Sequence, residues 1–114
     1  MSDFEERTYL LLREAFPKAT IKTQHAIKFK DELLIFDFYL PMLNIVVECQ
    51  GKQHYQFVKH FHGTQNGFKH YQYHDNLKIE WAKKNKVNLI TISYKEEPKE
   101  AWEIFELLYE SMEI

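Results

Sequence analysis

A chain of 114 residues with 45% hydrophobic and 16% aromatic content carries enough apolar surface for a buried core, and its length suits one domain, residues 1–114, rather than two. No run approaches the roughly 20 apolar residues that a membrane helix needs, and the acidic start has neither basic flank nor apolar leader, so a membrane partner is not expected and a cytoplasmic protein is. The single cysteine excludes an internal disulfide, and a net charge of −2 excludes a uniformly basic surface.

Ser2 with Glu5 forms a capping box, and Tyr9, Leu12 and Phe16 continue one helical face until Pro17 ends the first helix. Ile21 to Phe29 alternates loosely and is predicted as a first strand; Asp31-Glu32 turns the chain into a second strand, Leu33 to Leu40. Pro41 to Asn44 connects to a third strand, Ile45 to Gln50, so that the three make a meander. Residues 56–67 are polar, rich in His and Gly and without period, and are predicted as a mobile loop. Phe68 to Asn85 reads as a long helix with Tyr71, Leu77, Trp81 and Ala82 on its apolar side. Val87 to Tyr94 is nearly continuous in apolar content and reads as a central or parallel strand. Pro98 opens a last helix whose expected buried stripe is Trp102, Phe105, Leu108 and Tyr109.

Two carboxylates interrupt the most apolar strands. Asp37 follows Leu33-Leu34-Ile35-Phe36, and Glu48, eleven residues on, follows Ile45-Val46-Val47. A carboxylate buried without a partner carries a desolvation penalty, which a shared divalent cation removes. Such a pair can supply the oxygens of a hard cation that activates water against a phosphodiester. Taken singly, an Asp before a turn also caps loop backbone, and a strand Glu also pairs with a neighbouring Lys or Arg. Cys49, between Glu48 and Gln50, is expected to point its side chain into the core as a small hydrophobe.

Charge is distributed unevenly. From Lys95 onward there are seven Glu against two Lys, whereas Lys52 to Lys84 holds six Lys and five His against Asp75 and Glu80. That middle third is the expected phosphate-facing surface, the alternative being a solvated helix face. His60-x-His62 has too few clustered partners for zinc, and solvated or phosphate-contacting histidines are expected there.

The element order, with the segments Phe36-Asp37-Phe38-Tyr39-Leu40-Pro41, Asn44 to Tyr55 (NIVVECQGKQHY), His74-Asp75-Asn76-Leu77-Lys78 and Leu89 to Tyr94, resembles the PD-(D/E)XK restriction-endonuclease-like superfamily. Within it the chain is most similar to the small branch of very-short-patch repair endonucleases and related phage and homing endonucleases, over Glu5 to about Tyr94. The resemblance implies an α/β fold: an αβββαβ core with a C-terminal helix, its mixed central sheet flanked by helices. It implies a bacterial or phage-infected host cell, a magnesium ion for which manganese can substitute, and double-stranded or branched DNA as partner.

By that resemblance Asp37 is the metal-binding aspartate of the second strand and Glu48 the acid of the third, with the Cys49 carbonyl as a further ligand. Gln50 stands where the superfamily most often has the lysine that orients or deprotonates water, and glutamine cannot act as a base. Lys52, two residues on, keeps to the same side in an extended chain and offers the missing charge. His54 matches a histidine that serves this branch as general base or phosphate contact. Asp75 and Lys78, at i and i+3, share a helix face on which Asp75 orients His54 or a water and Lys78 reaches a phosphate oxygen; the alternative is a surface ion pair. Glu5 matches a glutamate that some members aim into the site, with Glu6 as its alternative. The resulting expectation is a magnesium-dependent endonuclease, a homodimer where both strands are cut. The alternative is a nuclease-fold protein without efficient catalysis, acting as a nucleic-acid-binding or accessory subunit, and Gln50 is the residue that favours it.

Overall fold

The computed structural model describes residues 1–52, Tyr55 and residues 59–111, without the side chains of His60 and Phe61. Among them are four helices and four strands in the order α1 (Asp3–Ala15), β1 (Lys22–Phe29), β2 (Glu32–Leu40), β3 (Ile45–Gln50), α2 (Lys59–His62), α3 (Gln65–Asn85), β4 (Asn88–Ser93) and α4 (Ala101–Ser111). This is a mixed α/β architecture. No helix among the described residues is long and apolar enough to cross a membrane.

Local chemistry accounts for the element boundaries. Ser2 caps α1 through its Oγ, which accepts the Glu5 N–H at 3.1 Å, and three acids occupy the first turn where the helix dipole favours them. β1 and β2 are joined by Lys30-Asp31, both with positive φ, the backbone that a tight two-residue hairpin requires. β1, β2 and β3 form the expected antiparallel meander, and β3 runs parallel to β4. The sheet order β1-β2-β3-β4 puts β4 at an edge, so of the two roles expected for it the parallel one holds and the central one does not.

The segment predicted as a loop is partly helical. Lys59–His62 forms a short turn of helix, and α3 begins three residues early because the Thr64 side chain accepts the Gly67 N–H at 3.0 Å and caps it. Residues 56–58 lie outside the described set.

Two apolar layers sandwich the sheet. On one face Leu12 of α1 and Ile104 and Leu108 of α4 pack with Phe38, Leu40, Ile45, Val47, Cys49, Ile90 and Ile92. On the other, Leu77 of α3 packs with Leu34, Phe36 and Val46, with Trp81 against them and its ring 5.1 Å from Phe36. The stripe expected on α4 holds at Leu108 and is corrected elsewhere: Trp102, Phe105 and Tyr109 are 59%, 48% and 83% exposed, while Ile104, one turn before Leu108, is buried with it.

β2 changes faces midway. Leu34 and Phe36 belong to the α3 layer, yet Phe38 and Leu40, of the same parity, belong to the α1/α4 layer. The switch occurs across Asp37, and the β1 position opposite it, between the Thr23–Phe38 and His25–Phe36 pairs, is Gln24 with φ +49°. A left-handed non-glycine residue inside a strand is strained by about 1–3 kcal/mol, and it twists the ladder locally.

A second pair of left-handed residues ties the two parallel strands. Asn44 (φ 56°) ends the Pro41–Leu43 turn before β3, and Lys86 (φ 56°) ends α3 before β4. Asn44 Nδ2 donates to the Lys86 carbonyl at 2.8 Å, and the Asn88 N–H donates to the Asn44 carbonyl at 3.1 Å.

Candidate active site

The paired carboxylates of the second and third strands meet at the point where β2 switches faces. Regular pairing of β2 with β3 ends at Phe38–Val47, and one step further in the same register sets Asp37 opposite Glu48. There the Asp37 side chain replaces a strand partner: the Cys49 N–H donates to Asp37 Oδ2 at 2.7 Å, satisfying a buried backbone donor where the ladder opens.

Glu48 lies in the middle of the sheet, next to Thr91 of β4, and is only 4% exposed. Burial pushes its carboxyl up to about 9, the Asp37 charge pushes the same way, and the Lys78 ammonium pulls against both. At neutral pH the pair therefore holds a proton, with Glu48 hydrogen-bonded to Asp37. Glu48 Oε1 is buried, its partner being Lys78 Nζ at 2.5 Å, an ion pair in which no hydrogen-bond donor is properly directed at that oxygen among the described residues.

Lys78 comes from the middle of α3 and turns inward, its amine 5.6 Å from the centre of the Phe36 ring. It is not the surface partner that its spacing from Asp75 allowed. Asp75, half-buried and with interactions of its own, lines a groove between β2 and α3 together with Lys78, His74 and His70.

Other expected residues divide between near and far. Gln50 ends β3 on the same strand parity as Glu48, and its Oε1 accepts the Tyr55 hydroxyl at 2.8 Å. Lys52 is exposed just beyond Gly51. His54 lies outside the described residues. Glu5 and Glu6 are placed differently, and the side chain of Glu5 is the one bonded to the sheet. Its Oε2 accepts Gln24 Nε2 at 2.9 Å, so it is tied to the residue opposite Asp37, and its Oε1 accepts the Ser2 hydroxyl at 3.2 Å, whereas Glu6 is exposed.

Cys49 is buried as expected, and burial pushes its thiol up to about 12. The adjacent Thr8 hydroxyl lowers it, while Asp37, Glu5 and Glu48 each raise it. The thiol is inert as a nucleophile, and the same list of neighbours locates three carboxylates around this short stretch of β3.

Asp37 and Glu48 fit a hard divalent cation. They are two carboxylates close enough to share a proton, one of them raised by burial despite the Lys78 ammonium beside it, and a cation could take the place of that proton. The basic middle third is split in its use. Lys59 and Lys69 are exposed, Lys83 and Lys84 stand in the last turn of α3 where they oppose the helix dipole, and Lys78 is committed to Glu48.

Sequence reasoning missed a second cluster. Glu32 at the start of β2 and His70 and His74 of α3 place one ligand atom each within 4.8 Å of one another. The His-x-x-x-His spacing on a predicted helix was the available signal; the glutamate came only with the fold.

Over 61 residues the chain is 43% identical to the uncharacterized protein 307L of Invertebrate iridescent virus 6 and 38% identical to the uncharacterized protein 033L of Invertebrate iridescent virus 3. Those 61 residues are 54% of this chain and 31% of each relative, so the match extends over about a third of the length of the curated relatives. No family model and no solved structure matches the chain.

Proposed function

We propose that the chain is a metal-dependent DNA endonuclease with a restriction-endonuclease-like core, hydrolysing phosphodiester bonds. The observation that carries the reading is the register of Asp37 against Glu48 on adjacent strands, with Lys78 from the next long helix 2.5 Å from Glu48. An ammonium at that position supports the reading where Gln50 weakened it, because the positive charge missing from β3 is supplied from α3 instead.

Asp37 and Glu48 would hold the cation, with the Cys49 carbonyl as a further ligand, once Glu48 gives up its proton. Magnesium, or manganese in its place, would supply Lewis-acid polarisation of the phosphate and a water of lowered pKa. Lys78 is positioned to stabilise negative charge building on the phosphoryl oxygens, and its confinement against Phe36 fixes it beforehand. Gln50, held by Tyr55, can orient a water by hydrogen bonding but cannot take its proton. His54 and Lys52 are the remaining candidates for base and phosphate contact, and Asp75 for orienting either. Glu5 acts on the site through Gln24, opposite Asp37.

Supercoiled plasmid incubated with the chain and Mg²⁺ or Mn²⁺ is expected to be nicked or linearised, and EDTA, Asp37→Ala or Glu48→Ala is expected to stop it. Intact plasmid with every metal, alongside retained DNA binding, would replace this reading with the accessory-subunit one, which Gln50 in place of a lysine favours. Cleavage surviving both substitutions would put the site elsewhere.

A further inference from the structure

We propose that Glu32, His70 and His74 form a binding site for a divalent transition ion of the zinc class, which tethers the start of β2 to α3. The three ligand atoms lie within 4.8 Å of one another, and His74 Nε2 is already 3.0 Å from Glu32 Oε2. Bonds of about 2.0–2.2 Å from such an ion set its ligand atoms roughly 3.4 Å apart. Closing the cluster thus takes movements of about an ångström, within reach of side-chain rotation.

The backbone supplies the arrangement. His70 and His74 are one turn apart on a single face of α3, their rings 4.6 Å between centres. Glu32 is the first residue of β2, immediately after the Lys30-Asp31 turn, and therefore has little freedom to swing away. Exposed His70 and half-buried His74 line a groove of about 330 Å³, and Glu32 is half-buried beside His74, so an ion and a completing water can enter. Lys78 also lines this groove, but its ammonium is paired with Glu48 and leaves the cluster's negative charge to the ion.

Donor type separates this site from the carboxylate pair. Two imidazoles and one carboxylate select zinc, cobalt or nickel, whereas magnesium prefers oxygen alone. The tether also has a direction: His74 precedes Lys78 by one turn, so an ion at the cluster fixes the stretch of helix that delivers Lys78 to Glu48. The inference does not depend on nuclease activity.

The test uses the full chain freed of metal with EDTA, titrated with Zn²⁺ alone in the calorimeter and with Co²⁺ in the visible. One ion per chain is expected, with a tetrahedral cobalt spectrum and a melting temperature raised by several degrees. His70→Ala and His74→Ala should each weaken zinc by about a hundredfold or more, the scale on which even supporting residues of metal sites act. His70 is exposed, so its substitution leaves folding intact and decides the matter should His74→Ala unfold the chain. Zinc that fails to saturate the wild type at micromolar concentration overturns the proposal. So does wild-type affinity in His70→Ala, which would assign the ion to other histidines. Unchanged zinc binding in Asp37→Ala separates this result from any failure of the nuclease reading.

Discussion

Asp37 and Glu48 sit within the sheet and Glu32 at its margin, yet α3 supplies the partner of each, Lys78 to the first cluster and His70 and His74 to the second. In the first, burial raises a carboxylate pKa, so a cation proposed for the pair would have to compete with a proton. In the second the two histidines face a groove and Glu32 is half-buried, so reach and donor type would decide what the cluster holds. The contrast teaches that depth in the sheet, more than residue type, sets whether an acidic side chain must first lose a proton before it could serve as a ligand.

The comparison breaks first at Asp37. Asp37→Ala is expected to lower plasmid cleavage by about three orders of magnitude, the loss that follows when several kcal/mol of metal-borne stabilisation goes. Zinc affinity, read by calorimetry, should stay within a factor of two. A parallel collapse of both would mean that the two clusters are one unit.

Lys78→Met should lower the single-turnover cleavage rate about a hundredfold, in the range lost with one preorganised donor. It should also push the Glu48 carboxyl further up, because the one opposing influence is gone. An unaltered rate would leave the ammonium a purely structural partner.

Protons sharpen the difference further. Magnesium must displace the Glu48 proton, so its affinity should climb as pH rises toward 9, by at most about tenfold per unit, with proton release seen in buffers of different ionisation enthalpy. In EDTA the sign runs the other way for stability. Glu48 binds its proton more tightly folded, at about 9, than unfolded, near 4.5, so its contribution is complete below the lower value and is lost as pH climbs to the higher. Glu48→Gln should flatten that decline in melting temperature between pH 5 and 9. An unchanged slope would assign the decline to another group.

The smallest effect expected is from Gln50→Lys. It restores a cation on β3 beside one already supplied by α3, and should raise cleavage only a few-fold while breaking the Tyr55 hydrogen bond. A gain of a hundredfold would mean that Lys78 does not serve the missing role.

The meander, and the two carboxylates it brings together, could be read from the chain because strand signals are local: β-branched runs, turn residues and one acid in each run. Whatever depends on distant partners was not readable. The spacing of Asp75 and Lys78 allowed either a site-facing helix face or a surface ion pair, and the direct partner of Lys78, Glu48, came only with the packing of α3 on Phe36. On α4 two stripes satisfy the helical period equally well, and the larger aromatic one is the exposed one; smaller Ile104 and Leu108 fit the space left by α1 and the sheet. The face switch at Asp37 has no sequence mark either, since the left-handed residue opposite it is a glutamine rather than a glycine.

The Asn44–Lys86 bond works as an indexing pin. It clamps the entry of β3 to the entry of β4, so that the two strands start level and every later row is counted from one origin. Four rows on comes Glu48. A slip of a single row between β3 and β4 would take Glu48 off its place beside Thr91 and shift it relative to Lys78, because α3 leads directly into β4. A side-chain amide at the rim thus helps to align Glu48 with the helix that carries Lys78, touching neither of them.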